Sequence, residues 1–481
     1  MSKPAKVKGS KRAMAGPLGF VLGLGLFCGI GGFFTLAHLF HEDSQKLVTD
    51  MDRAREQHLP LSSADIEQRR IHPKESEDAG PLYRQAIAQY KVRFNDPVHP
   101  SAQRALNLAV TTLHEQNQRF QPIYQLIRRA ITLPRCDLKL DYSKGYTWYT
   151  AISTPFPADA GMRSLMGGVA LMGWEDSRNR NTEKVFEEAE TLIAMAKHGQ
   201  EYDLVHPGSW PIDADSQACQ LLLRVLQLHW REPDIVRRVG EIANTVKFLD
   251  LYKLLETEFA LGLDAVHNIK SLEEIGLDKG TPKAFSKTVD SLYQSPAVRE
   301  AFEEKFVHVY IEFFHRLPAS HTDWAKISQT LRAIRKELNS DNSIDAGVAR
   351  ALTPTYLGMA DTFGSSETIL RLLQVGVLLC LEHSRLGQFP QDLSPEAVQM
   401  VDPFGGKAFH YKPQKDGFTL YSIGPNLKDD GGRRWTPQNP KASDDITFRL
   451  GSARISGTIP RGSLGPPTNL RRIYNRGNVP Q

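Results

Sequence analysis

The sequence predicts a mainly α fold. It begins with an N-terminal transmembrane helix, continues as a multi-helix bundle or irregular helical solenoid, and ends in a small α+β module, a helix on a three-stranded antiparallel sheet. Three observations predict this. Residues 13–37 form a run of 25 without a charge. Residues 41–350 carry apolar side chains at helical spacing, broken by Pro and Gly. Strand-like alternation of useful length appears only after residue 400.

The N-terminal run is long enough to cross a hydrocarbon core of ~30 Å at ~1.5 Å per residue. Lys3, Lys6, Lys8, Lys11 and Arg12 precede it with no acid between them, whereas Glu42, Asp43, Asp50, Asp52 and Glu56 follow it against only Lys46, Arg53 and Arg55. That asymmetry predicts residues 1–12 as a cytoplasmic basic end, 13–40 as a single span in the inner membrane, and the bulk of the chain outside the cytoplasm. A cleaved signal peptide is the rival reading. It fits less well, because its apolar region is normally ~7–15 residues and ends at small residues. Here the run ends in Phe33-Phe34 and Leu39-Phe40. Gly19, Gly23, Gly25 and Gly29 stand at four-residue spacing within it, which lets a second copy of the helix approach closely.

At 481 residues the chain exceeds one ordinary core. Its charged fraction of 24% and hydrophobic fraction of 41% are those of a globular protein. A net charge of +4, not focused on one face, gives no footprint for nucleic acid. Cys28, Cys136, Cys219 and Cys380 are too dispersed for a zinc site. A Cys136–Cys219 disulfide is conceivable, but buried free thiols are expected.

In the helical region 41–350, periodic runs cover 159–174, 216–230, 233–262, 295–316 and 321–338. Helix ends are expected at Pro97/Pro100, Pro155/Pro157, Pro207/Pro211 and Gly280-Thr281-Pro282, and Gly199 stands where a C′ glycine belongs. No fixed 34- or 40-residue period emerges, so a tetratricopeptide array is not expected. Tyr142–Tyr149 is the densest aromatic patch and reads as packing between helix pairs, with a sugar- or peptide-binding surface as the alternative.

Residues 360–450 form the last module. Ile369–Leu381 is almost continuously apolar around Arg371, too short to span a bilayer, and predicts a buried helix ending at Gly387. Ala408–Tyr411 and Phe418–Tyr421 flank Asp416-Gly417, a type I′ hairpin signal, and Ile446, Phe448 and Leu450 supply a third strand. Phe409, Tyr411, Phe418 and Leu420 are expected on one buried face. Residues 451–481, with five arginines and no acid, predict a disordered tail.

Catalytic signatures are absent from the sequence. No phosphate-binding loop, no H-E-x-x-H and no G-x-S-x-G occurs. His308 and His315 lie two turns apart, too far to share an ion, and each reads as a surface or core histidine. The adjacent acids Glu187/Glu188 and Glu303/Glu304 point apart on their helices and read as a solvated face. The acidic loop is different. Asp429-Asp430-Gly431-Gly432 and Asp444-Asp445 bracket a polar stretch, and two carboxylate pairs with loop carbonyls match the oxygen shell of Ca²⁺. Asx turns on a solvated loop are the alternative reading.

The order of these pieces resembles the globular end of the type II secretion system protein G family, the major pseudopilins. The matching pieces are Gly387-Gln388-Phe389-Pro390 with Leu393, Asp402-Pro403-Phe404-Gly405, Phe409-His410-Tyr411, Leu420-Tyr421-Ser422-Ile423-Gly424, and Asp429-Asp430-Gly431 through Asp445-Ile446. The resemblance implies a calcium site with Asp430, Asp444 and Asp445 as ligands. It also implies action by assembly. The family's leader has no counterpart: Gly32-Phe33-Phe34-Thr35-Leu36-Ala37 lies at the far end of the apolar run and puts Ala37 where the family has Glu. Fibre formation is therefore not expected. The whole chain is similar to planctomycete-type anchored proteins that join a helical region to a pseudopilin-like end. The function expected is that of a membrane-anchored envelope protein working by binding or scaffolding among envelope proteins, accessory to secretion or envelope organisation. The second expectation is a hydrolase of envelope polymers with carboxylates in the helical region.

Overall fold

The computed structural model describes residues 46–70, 72–94, 110–139, 157–200, 210–248, 250–268, 296–318, 323–341, 356–433 and 445–451. The membrane run with Gly19, Gly23, Gly25 and Gly29, the aromatic patch 142–149, the turn at 280–282, Asp444 and residues 452–481 lie outside them.

The described chain is mostly helical, with one small antiparallel sheet. A helical segment at 46–56 and a short helix Ser63–Arg69 come first. The helices Gly80–Phe94, Val110–Ala130, Pro157–Arg178, Thr182–Gln200 and Trp210–His229 then pack on one another in sequence. Their starts carry the expected signals: Ser62 accepts from Asp65 N at 3.2 Å, Asp323 accepts from Lys326 N at 3.2 Å, and Pro233 and Pro395 open helices.

The predicted continuous helix 233–262 is two helices, Pro233–Ala243 and Leu251–Asn268. Asn244 to Val246 leave the first in tight turns, and the Asp250 carboxylate accepts from Tyr252 N at 2.9 Å to start the second. Gly199 is not a C′ residue either. It lies inside Thr182–Gln200, where a Cβ would come within 2.3 Å of Pro211. The glycine permits close helix approach.

Among the described residues two large apolar clusters form the interior, beside a small buried pair, Leu113 and Leu171. The first joins the helices from Gly80 to Ala243 with Phe389, Phe409, Phe418, Leu420, Phe448 and Leu450 of the sheet region. The second joins the 46–56 segment with Leu251–Asn268, Pro296–Arg316 and Trp324–Ser340, and stacks Phe259, Phe306 and Tyr310. One helix of 31 residues, Tyr356–Leu386, enters both. Ala360 and Phe363 lie in the second cluster, and Ile369 to Cys380 lie in the first.

Among the described residues this is the one helix with the length and apolarity of a membrane span, over Ala360–Leu386, but 72% of that window is buried inside the protein. It is a core helix. Its internal Arg371 is satisfied by Val401 O at 2.6 Å and by the Glu367 carboxylate. The helix ends as predicted at Gly387, which has φ +76° and donates to His383 O at 2.8 Å.

The sheet has the order β1 (His410–Gln414), β2 (Gly417–Ser422), β3 (Ile446–Leu450), antiparallel throughout. The hairpin differs from expectation. Gln414 pairs with Gly417, so Lys415-Asp416 make the turn, and neither has positive φ. Gly417 is a glycine because a Cβ there would lie 1.9 Å from Leu450 O. Every residue of β2 is buried, not one face alone. Phe418 and Leu420 face the helical core, while His410 stacks on Tyr421 at 4.7 Å and Gly432 backs onto the same ring.

Candidate functional site

The motif residues that follow the long helix meet around one carboxylate. Asp402 Oδ1 accepts from Ser422 Oγ at 2.6 Å and from Phe404 N at 2.9 Å, and Oδ2 accepts from Ile423 N at 3.2 Å. Ser422 Oγ in turn accepts from Gly424 N at 3.0 Å. Asp402 is 2% exposed, so its oxygens are satisfied by these donors and not by bulk water. The Asp-Pro-Phe-Gly and Tyr-Ser-Ile-Gly pieces are thus two halves of one hydrogen-bonded joint. Phe404 drops from it into the second apolar cluster, against Gly364. Tyr411 Oη closes the module by donating to Pro390 O at 2.9 Å.

The acidic loop lies beside this joint. Asp445 Oδ1 accepts from Asp430 N at 3.3 Å, and Oδ2 accepts from Gly432 N at 2.7 Å. Asp430 Oδ2 accepts from Asn426 Nδ2 at 3.0 Å, and Asp429 Oδ1 accepts from Gly431 N at 2.8 Å. Cationic side chains hold the loop carbonyls. Lys412 donates to Gly431 O at 3.2 Å, Arg449 to Gly432 O at 2.8 Å, and Arg433 to Asp430 O at 2.8 Å. Burial raises the Asp445 carboxyl above the usual range. The two backbone donors pull it back, and the neighbouring Asp430 and Asp429 charges push it up again. Asp445 thus meets the backbone of Asp430, whose own carboxylate turns to Asn426, and Asp444 lies outside the described residues. Asp429 makes the Asx turn of the alternative reading, accepting from Gly431 N two residues on, whereas Asp445 accepts from N–H groups distant in sequence.

The helical region buries acids, Glu188 among them, which the sequence reading put on a solvated face. Glu187 is exposed, but Glu188 is 2% exposed and its Oε2 has no hydrogen-bond partner. Desolvation pushes its pKa up to about 9, with the Asp176 and Glu187 charges adding to the shift. Asp215 is buried with an unpartnered Oδ2, and burial likewise raises its carboxyl. Glu258 is driven by burial to about 8. These acids are not a solvated face. His198 is buried and neutral in kind: burial lowers its pKa, Nε2 donates to Leu133 O at 2.8 Å, and Nδ1 takes the Tyr83 hydroxyl at 3.0 Å.

Glu303 and Glu304 do point apart. Glu303 meets His267 Nε2 at 2.8 Å, and Glu304 turns inward. There it joins Asp50 and His308. Among the described residues, this is the one group of three His, Cys, Asp or Glu side chains whose ligand atoms lie within 4.8 Å of one another. His308 Nδ1 is 3.0 Å from Asp50 Oδ2. Lys46 Nζ approaches Glu304 Oε1 at 2.6 Å, and Arg53 donates to Asp50 Oδ1 at 2.9 Å. Glu304 and His308 are four residues apart on one helix face, a signal present in the sequence. Asp50 lies 258 residues from His308, and nothing local announces it.

Cys136, Cys219 and Cys380 are free, buried thiols, as expected. No protein-family model, curated protein or solved structure matches the chain.

Proposed function

We propose that the chain is a single-pass envelope protein, N-terminus in the cytoplasm, whose extracytoplasmic helical body and pseudopilin-like α+β end act by binding other envelope proteins. It serves as an accessory to secretion or to envelope organisation. The observation that carries this reading is the charge asymmetry around the uncharged run at 13–37. The helical segment at 46–56 supports it. Leu47 and Ala54 of that segment are buried in the second apolar cluster, which is in keeping with a folded body that follows the proposed span closely in sequence.

Action by binding is supported by how the acids are used. Asp402 is committed to the joint, and Glu188, Asp215 and Glu258 are sealed between helices, where a polymer substrate has no access. Calcium at the acidic loop belongs to the same proposal. The Asp430 and Asp429 charges push up the Asp445 carboxyl there, and a cation bound to Asp430, Asp444 and Asp445 offsets them. Crosslinking in native membranes tests the binding role. The reading predicts a discrete adduct between this chain and another envelope protein. A chain that remains monomeric under conditions that crosslink known envelope complexes contradicts it.

A further inference from the structure

We propose that Asp50, Glu304 and His308 bind a divalent transition cation of the Zn²⁺ type, which clasps the 46–56 segment to the helix Pro296–Arg316. The donor set is one imidazole and two carboxylates, the chemistry that Zn²⁺, Mn²⁺ and Fe²⁺ take from proteins. All three ligand atoms already lie within 4.8 Å of one another. The 3.0 Å separation of His308 Nδ1 and Asp50 Oδ2 suits two ligands on one ion at ~2.1 Å each. A second observation points the same way. Glu304 Oε1 is fully buried with no hydrogen-bond partner, and its ion-pair partner, Lys46 Nζ at 2.6 Å, comes from a half-exposed side chain.

The two cations now in the cluster are displaceable. The Lys46 and Arg53 side chains are 48% and 55% exposed, whereas those of Glu304 and Asp50 are 4% and 3% exposed. Each long side chain can swing into water while the carboxylates stay in place. The bound ion takes over the neutralisation that Lys46 and Arg53 supply. The inference does not depend on the membrane anchor or on the acidic loop.

The test uses the untagged full-length chain in detergent, stripped with EDTA and titrated with Co²⁺ by visible absorption. Co²⁺ reports nitrogen and oxygen ligation directly, and Ca²⁺ gives no such bands. The proposal predicts one saturable equivalent, displaced by Zn²⁺. Asp50→Asn and His308→Gln each weaken binding at least about tenfold. Lys46→Met tightens it severalfold by removing the competing ammonium, whereas a purely structural ion pair predicts only loss of stability in that variant. Absence of a saturable band in folded wild-type protein overturns the proposal. So does a titration unchanged in both ligand variants, or weaker binding in Lys46→Met.

Discussion

Ser422 Oγ donates to Asp402 Oδ1 at 2.6 Å, joining the turn after the long helix to the end of the central strand. Both residues are buried, and Asp402 also holds two backbone N–H groups. Ser422→Ala is expected to destabilise the chain by ~1–2 kcal/mol, and Asp402→Ala by more, because three donors then lose their acceptor. Urea unfolding followed by circular dichroism measures both. A Ser422→Ala midpoint equal to wild type removes the joint from the account.

Glu188 gives a pH dependence of defined sign. Its carboxyl is raised from 4.5 to about 9 in the folded chain, so the folded state holds a proton that the unfolded state releases. The stability linked to it is complete below pH 4.5 and is lost as pH rises toward 9. In that window the residue contributes a decline of about 1.4 kcal/mol per pH unit. Glu188→Gln is expected to flatten the decline and to be more stable than wild type at alkaline pH. Equal pH slopes for the two proteins in chemical denaturation contradict this. Glu258, raised to about 8, acts with the same sign.

The thiols test burial directly. In a Cys28→Ser variant, Cys136, Cys219 and Cys380 are expected to react with a thiol reagent only after denaturation, and then as three equivalents. Fast reaction in the native protein places a thiol at the surface. Fewer than three equivalents under non-reducing denaturation reveals a disulfide.

Calcium is best tested on the whole chain. The helix Tyr356–Leu386 buries much of its surface against Trp210–His229 and Pro233–Ala243, so a 360–450 fragment exposes apolar area that the chain covers. Saturating Ca²⁺ is expected to raise the melting temperature, by about 2.7 kcal/mol of stability at a hundredfold excess over Kd. Asp445→Asn is expected to abolish the increment. A transition unmoved by Ca²⁺ or by chelator argues against the site.

Local patterns made much of the fold legible. The unbroken apolar text of Ile369–Leu381 with Gly387 after it gave a buried helix and its cap, and Phe418, Leu420, Phe448 and Leu450 announced the sheet's inner face. The outer face of β2 was not legible, because Tyr421 is covered by a loop whose path is tertiary. The hairpin turn was misread because Gly417 answers a steric demand from Leu450 and not a dihedral one. Adjacent acids looked solvated, yet Glu188 and Glu304 each face inward, since one of any two neighbours on a helix turns toward the core. The acidic text of Asp429-Asp430 was legible in the sequence, whereas Asp50 with His308 is a contact that only the folded chain makes.

The membrane anchor is the central claim, and the N-terminus of the protein isolated from native membranes tests it most directly. Intact-mass and N-terminal sequencing are expected to find a chain that begins at Met1 or Ser2 and stays with the membrane through alkaline extraction. A mature chain that begins beyond Ala37 and is recovered in the soluble fraction contradicts the account.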